Sequence, residues 1–303
     1  MVDKHCHAQV RLTEGLKLLQ LLQQESDCET SSADIQSKLL AAYRDTVSLL
    51  PQIAYFGLDV QSRLDALGKA PNLASVAASQ ALRLSMPEAA LEILEEGRAV
   101  FWAQFSRLRS SFHQLPESLA DDLSQTARKL EVGSRNTFSP SRMDSEAVSL
   151  HEDQLAQRRQ LSDRFESLLA QARAVPGLER FMLNDSFLTI AQAASKAPVI
   201  VLLSTASYCG ALLLRDPTSP VEQIHFDKRV DQANLQKLEE TWKYIRQSTR
   251  GVLSRALRPI SPRNKTSGAE ATLLHIWQHI IRPLIQALNL TVRMIFQVQC
   301  ITY

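Results

Sequence analysis

PVIVLLSTASYCGALLLRDPTSPVEQIHF, residues Pro198 to Phe226, decides how the chain is read. Val199 to Ser204 is a short β-branched and Leu-rich run, Tyr208 to Arg215 a second, and Val221 to Phe226 a third. Asp216-Pro217-Thr218-Ser219-Pro220 between the last two is turn chemistry, because Pro fixes φ and short polar side chains bond nearby backbone. Tight turns predict antiparallel pairing for these three strands. Nothing upstream reads as sheet. The fold class is therefore mostly α, with an α/β portion that begins here.

Composition agrees. Of 303 residues, 45% are hydrophobic, enough for real cores, while 6% are aromatic and only 9 are Gly, a balance that favours helices. A formal charge of +2, with both signs dispersed, argues against a nucleic-acid surface, which needs clustered Lys and Arg. The apolar stretch Val199 to Leu214 is broken at Ser204-Thr205-Ala206-Ser207, below the roughly 18 residues of a membrane span. Four cysteines (Cys6, Cys28, Cys209 and Cys300) lie far apart with no C-x-x-C, and no apolar leader precedes them. Reduced thiols and a cytoplasmic location are the expectation.

Upstream, residues 1–130 read as helical hairpins. Leu12, Leu16 and Leu19 repeat at helical spacing; Ile35, Leu39, Tyr43, Val47 and Leu50 share a face; Leu73, Val76, Ala77, Ala81 and Leu84 share another. Ser85-Met86-Pro87-Glu88 opens a long helix with Ala90, Leu94, Gly97, Phe101 and Phe105 in one stripe. Small residues (Ala74, Ala77, Ala78, Ala81, Ala89, Ala90) stand where helices would cross closely. This is the grammar of a tetratricopeptide-type (TPR-like) array, although an irregular bundle fits the same spacings. Residues 131–149 are polar and read as a flexible loop, 150–185 as a connecting helix, and 186–303 as an α/β domain. In that domain Leu235, Leu238, Trp242 and Ile245 are expected to face the sheet. Leu273, Trp277, Ile280, Leu284 and Leu288 are expected to be buried, with a kink at Pro283. Val292 to Val298 is a last strand candidate, parallel to an earlier one.

Chemistry-bearing groups are few. His275 and His279 sit four apart, but hydrolytic zinc sites of that spacing place Glu directly after the first His, and here Ile276 stands there. No third ligand stands out, so two histidines on a half-buried face is the reading. His5, Cys6 and His7 are adjacent and cannot all face one ion without an unusual turn. Cys209 and His225 lie on neighbouring strands, yet a dyad needs thiol and imidazole within hydrogen-bond reach, and Cys209 is expected to point into the core. Asp121-Asp122 and Glu95-Glu96 read as solvated helix faces. No catalytic, cofactor-binding or metal residue is assigned, and no cofactor is expected.

Two stretches carry a resemblance. One is ASQALRLSMPEAALEILEEGRAVFWAQFSRLRS, Ala78 to Ser110, followed by LPESLADDLSQTARKLE. The other runs from VPGLERFMLNDSFLTIAQAASKAPVIVLLSTASYCGALLL through LLHIWQHIIRPLIQAL. Together they resemble the fungal proteins that join tetratricopeptide repeats to a CHAT domain, with Glu95 to Gln104 the most specific piece. The resemblance implies a caspase-like fold of the clan that uses a Cys–His dyad, some members being peptidases. Family patterns put the His in an H-F-A-C-H-G-like motif and the Cys in an L-S-A-C-x-T-like motif, both beyond the helix carrying Trp277, Ile280 and Pro283. Neither motif is present, and Gln297 to Tyr303 (QVQCITY) lacks the Trp-Cys-Pro-Thr-Gly-like continuation, so Cys300 is not equated with the nucleophile. The resemblance thus implies a helical-repeat module that binds a protein or peptide partner, fused to a truncated, inactive CHAT portion. The alternative is a cysteine peptidase whose catalytic residues lie outside this sequence.

Overall fold

A computed structural model describes residues 4–26, 33–98, 100–110, 112–135, 145–183, 186–227, 229–253 and 263–289. The chain divides into two compact units, Met1–Ile190 and Ala191–Tyr303.

The first unit is helical throughout its described residues. Its elements are α1 (Lys4–Ser26), α2 (Ala33–Val47), α3 (Leu50–Ile53), α4 (Val60–Gly68), α5 (Leu73–Arg83), α6 (Pro87–Gly97), α7 (Val100–Leu108), α8 (Glu117–Arg135), α9 (Ser145–Arg173) and α10 (Phe187–Ala191), the last crossing the boundary. Helix α1 packs on α2, α2 on α5, and α5 on α6. Alanines make these approaches close: Ala77, Ala78, Ala81 and Ala90 are completely buried. Two glycines mark the tightest crossings. A Cβ at Gly15 would stand 2.9 Å from the Thr46 hydroxyl, and one at Gly97 only 2.5 Å from the Ala74 Cβ. Helix α4 is capped by Asp59, whose carboxylate accepts from Ser62 N (3.0 Å). The unit is helical, as its spacings predict.

Three expectations for this unit need correction. The long helix after Pro87 is two helices: α6 ends at Gly97, and Arg98 is extended (φ −82°, ψ 145°). The stripe Ala90–Phe105 spans that break because helical spacing survives a change of axis. Helix is already formed at both ends of the expected loop 131–149, since α8 runs through Arg135 and α9 starts at Ser145; 136–144 lie outside the described residues. Residues 150–173 are no mere connector. Phe165, Leu168, Leu169 and Ala172 of α9 form one core with Leu123, Ala127 and Leu130 of α8, Leu108, Phe112, Leu115 and Phe56. Phe56 and Phe165 meet edge to face at 5.7 Å.

The second unit begins with a 3-10 turn, Gln192–Ser195, and a three-stranded antiparallel sheet in the order β1 (Val199–Ser204), β2 (Cys209–Leu214), β3 (Glu222–His225). In the β1–β2 turn Thr205 N donates to Tyr208 O (2.7 Å) and Tyr208 N to Thr205 Oγ1 (3.0 Å). In the β2–β3 turn Asp216 accepts from Thr218 N and Ser219 N, both at 2.9 Å, and from both hydroxyls. Those hydroxyl bonds, Ser219's first, hold the Asp216 carboxyl well below the usual carboxylate range. Ala211 to Leu214 are buried on both sides of the central strand.

Helix α11 (Gln232–Leu253) packs on α12 (Arg263–Ile276), which continues through a π-helical segment, Trp277–Ile281, into α13 (Arg282–Ala287). Pro283 explains the segment. It has no N–H for the His279 carbonyl and would crowd it, so the helix re-registers, with Arg282 N bonded to Trp277 O. The expected burial here is largely wrong. Leu284 is buried, but Leu273 is 55% exposed, Trp277 42% and Trp242 46%. Leu235 and Leu238 are half-buried on a helix that packs on α12. The side chain of Ile245 and the strand candidate Val292–Val298 lie outside what the structure describes. Arg215 ties sheet to helix: its guanidinium grips Glu222 and donates to Ala287 O at the end of α13 (2.7 Å).

Candidate functional site

The register of the sheet disposes of the Cys209–His225 pair. His225 lies opposite Gly210, so its side chain shares a face with Gly210, whereas Cys209, one residue earlier, points to the other face. The Cys209 thiol instead meets Ser204 Oγ (3.3 Å) and Thr205 O (3.7 Å). His225 packs edge-on against the Tyr208 ring at 5.3 Å. That ring lies over Gly210, where an added Cβ would come within 2.8 Å of the phenol oxygen. The Tyr208 hydroxyl is buried without a partner among the described residues, and burial pushes its pKa up.

The other candidates fall as follows. His5, Cys6 and His7 lie in the first turns of α1. Cys300 lies outside the described residues. Asp122 pairs with Arg164 of α9 (3.1 Å), and its neighbour Asp121 is exposed. His275 and His279 do come together, ring centroids 4.6 Å apart and planes tilted by 51°. Nε2 of His275 is buried with no hydrogen-bond partner among the described residues. Among those residues no group of three His, Cys, Asp or Glu side chains is placed to hold a metal ion, and no helix is long and apolar enough to cross a membrane.

The first unit holds a groove of about 310 Å³. Glu95 and Glu96 of α6 form one wall; Val100, Ala103 and Arg107 of α7 form another; Arg180, Met182 and Leu183, from the turns after α9, close it. Gln104 and Pro51 also line it. Gln104 is fixed on both sides, its Nε2 donating to Pro51 O (2.9 Å) and its Oε1 accepting from Arg63 Nη2 (2.7 Å). Behind it, Arg63 is completely buried. Its Nε donates to Ala54 O (3.0 Å), and its guanidinium lies over Phe56 (5.1 Å) and Phe101 (4.7 Å). Burial, with a smaller push from the nearby Arg158 charge, pulls the Arg63 pKa down to about 10. Arg158, also lowered by burial, donates from Nε to Phe56 O (2.7 Å). On the face of α7 away from the groove, Trp102 is 66% exposed and stands edge-on to Phe101 at 5.4 Å.

Sequence reasoning reached part of this. Glu95 to Gln104, singled out as a motif, supplies the α6 and α7 walls. Glu95 and Glu96, read as solvated, line the groove. Arg63 gave no signal: an arginine between Ser62 and Leu64 looks like an ordinary surface cation until the two phenylalanines and two carbonyl partners are placed around it. Comparison with protein-family models, with curated proteins and with solved structures found no match.

Proposed function

We propose that the chain acts as a helical-hairpin protein-interaction module, its groove between α6, α7 and the 180–183 turn receiving a protein or peptide segment. Joined to it is a small α/β unit that resembles the start of a CHAT domain and is inactive as a peptidase in this form. The observation that carries the reading is the groove itself. Gln104, in its lining, is fixed by hydrogen bonds to Pro51 O and Arg63. A fixed amide in a concave lining suits peptide capture, since a preorganised site loses little freedom on binding. Glu95, Glu96, Arg107 and Arg180 put both signs of charge on the walls.

The test is partner capture from cell extract by the full chain, compared with Leu183→Asp, Arg107→Glu and a control, Lys237→Glu, in the other unit. The reading expects the same partner with wild type and control, and its loss from both groove variants. Equal capture by all four chains removes the groove from the function.

A further inference from the structure

We propose that His275 and His279 form a two-imidazole site for a borderline divalent transition-metal ion, of the zinc, nickel or copper(II) class, with water completing the coordination. The sequence offers only the four-residue spacing; the structure adds two observations. The first is distance. An imidazole nitrogen binds zinc at about 2.0–2.1 Å, which puts two ring centroids on one ion about 4.5–5.2 Å apart for ligand angles between square and tetrahedral. The rings stand 4.6 Å apart and tilted, not stacked. The second is an unmet need. Nε2 of His275 is buried and has no partner among the described residues. A buried nitrogen without a partner is costly, and a bound cation would remove that cost.

The backbone supports the placement. His279 lies inside the π-helical segment that Pro283 imposes, so the pair's relative position is fixed by the chain and not by rotamer choice alone. Such segments recur at functional sites. Ligand chemistry selects the ion: neutral imidazole suits zinc, nickel and copper(II), and no carboxylate cluster is present among the described residues to favour calcium or magnesium. The position after His275 is Ile276, so the Glu that activates water in helix-borne zinc hydrolases is missing, and the site binds without implying hydrolysis.

The experiment titrates the full, chelator-treated chain with zinc chloride by calorimetry, and separately with copper(II) chloride followed by paramagnetic resonance. One ion per chain is expected, with copper hyperfine structure from two imidazoles. His275→Ala and His279→Gln should each weaken binding at least about tenfold. A chain carrying H5A, C6A and H7A should bind as wild type does, which separates the site from the other His- and Cys-bearing stretch. His279 is only half-buried, so the His279→Gln chain, checked for unchanged circular dichroism, decides the matter if His275→Ala does not fold. Absence of binding, full binding by His279→Gln, or loss in the N-terminal variant overturns the proposal.

Discussion

Gly97→Ala tests how closely the helices of the first unit are set. The added Cβ would lie 2.5 Å from the Ala74 Cβ and 2.9 Å from Val47 Cγ1. Carbon pairs rest at about 3.5–4.0 Å, so α6 must move about 1 Å from α5 or the site must distort. Neither neighbour yields easily. An alanine has no rotamer to change, and Val47, completely buried, is stiff at χ1 in a helix. Overpacking of this kind costs about 1–3 kcal/mol. Ala returns up to about 1 kcal/mol in helix propensity, and less here because Gly97 is the last residue of α6. The expected net loss is about 1–2 kcal/mol, read as a lower urea midpoint at unchanged slope. Ala74→Gly supplies the rescue. It should be destabilising alone, yet the double variant should be more stable than the sum of the two losses by about 1 kcal/mol. If Gly97→Ala is as stable as wild type, or the two losses simply add, the close approach of α6 to α5 is wrong.

Arg63→Met should cost about 2–4 kcal/mol, because two bonds from a charged group are lost while Ala54 O and Gln104 Oε1 are left unpaired; a more stable Arg63→Met chain would show the buried cation to be a net liability. Asp216→Ala should lower stability near neutral pH and matter progressively less on acidification. The folded-state pKa of Asp216 is depressed, so its contribution is present above the unfolded value of about 4 and fades as pH falls toward the folded one. A gap between wild type and variant in chemical unfolding that stays constant from pH 7 to pH 2.5 would contradict this. No cysteine of the full chain should react with iodoacetamide faster than a free thiol at neutral pH, and no peptidase activity should appear. Rapid stoichiometric labelling of Cys209 would restore the case for a nucleophile.

The sheet was legible because strand runs there are short, bounded by turn residues and free of competing helical spacing. Val199–Ser204 matches β1 residue for residue, and the other two strands differ by their end residues. Helices were legible as elements but not as packed objects. The apolar stripe through Leu273 and Trp277 fixes a helix, yet periodicity does not say whether a partner covers it, and these side chains are half exposed. The break at Arg98 was hidden because Gly97 and Arg98 are both compatible with helix. The groove was illegible for a similar reason. Its closing residues, Arg180, Met182 and Leu183, are about 80 positions from Glu95 to Gln104. The two histidines were visible as a spacing, but the orphaned Nε2 is a property of the surroundings.

Arg158 reaches Phe56 across 102 positions, and Arg63 reaches Gln104 across 41. In an ideal stack of hairpins each module leans only on the next, so the stack can unzip from either end. Here α9 cannot peel away without stranding a charged side chain's acceptor in the loop before α4, and α4 cannot loosen without freeing the groove floor. Hydrogen exchange from α4, α7 and α9 should accordingly report one shared opening event, and a ligand seated on Gln104 would slow all three together.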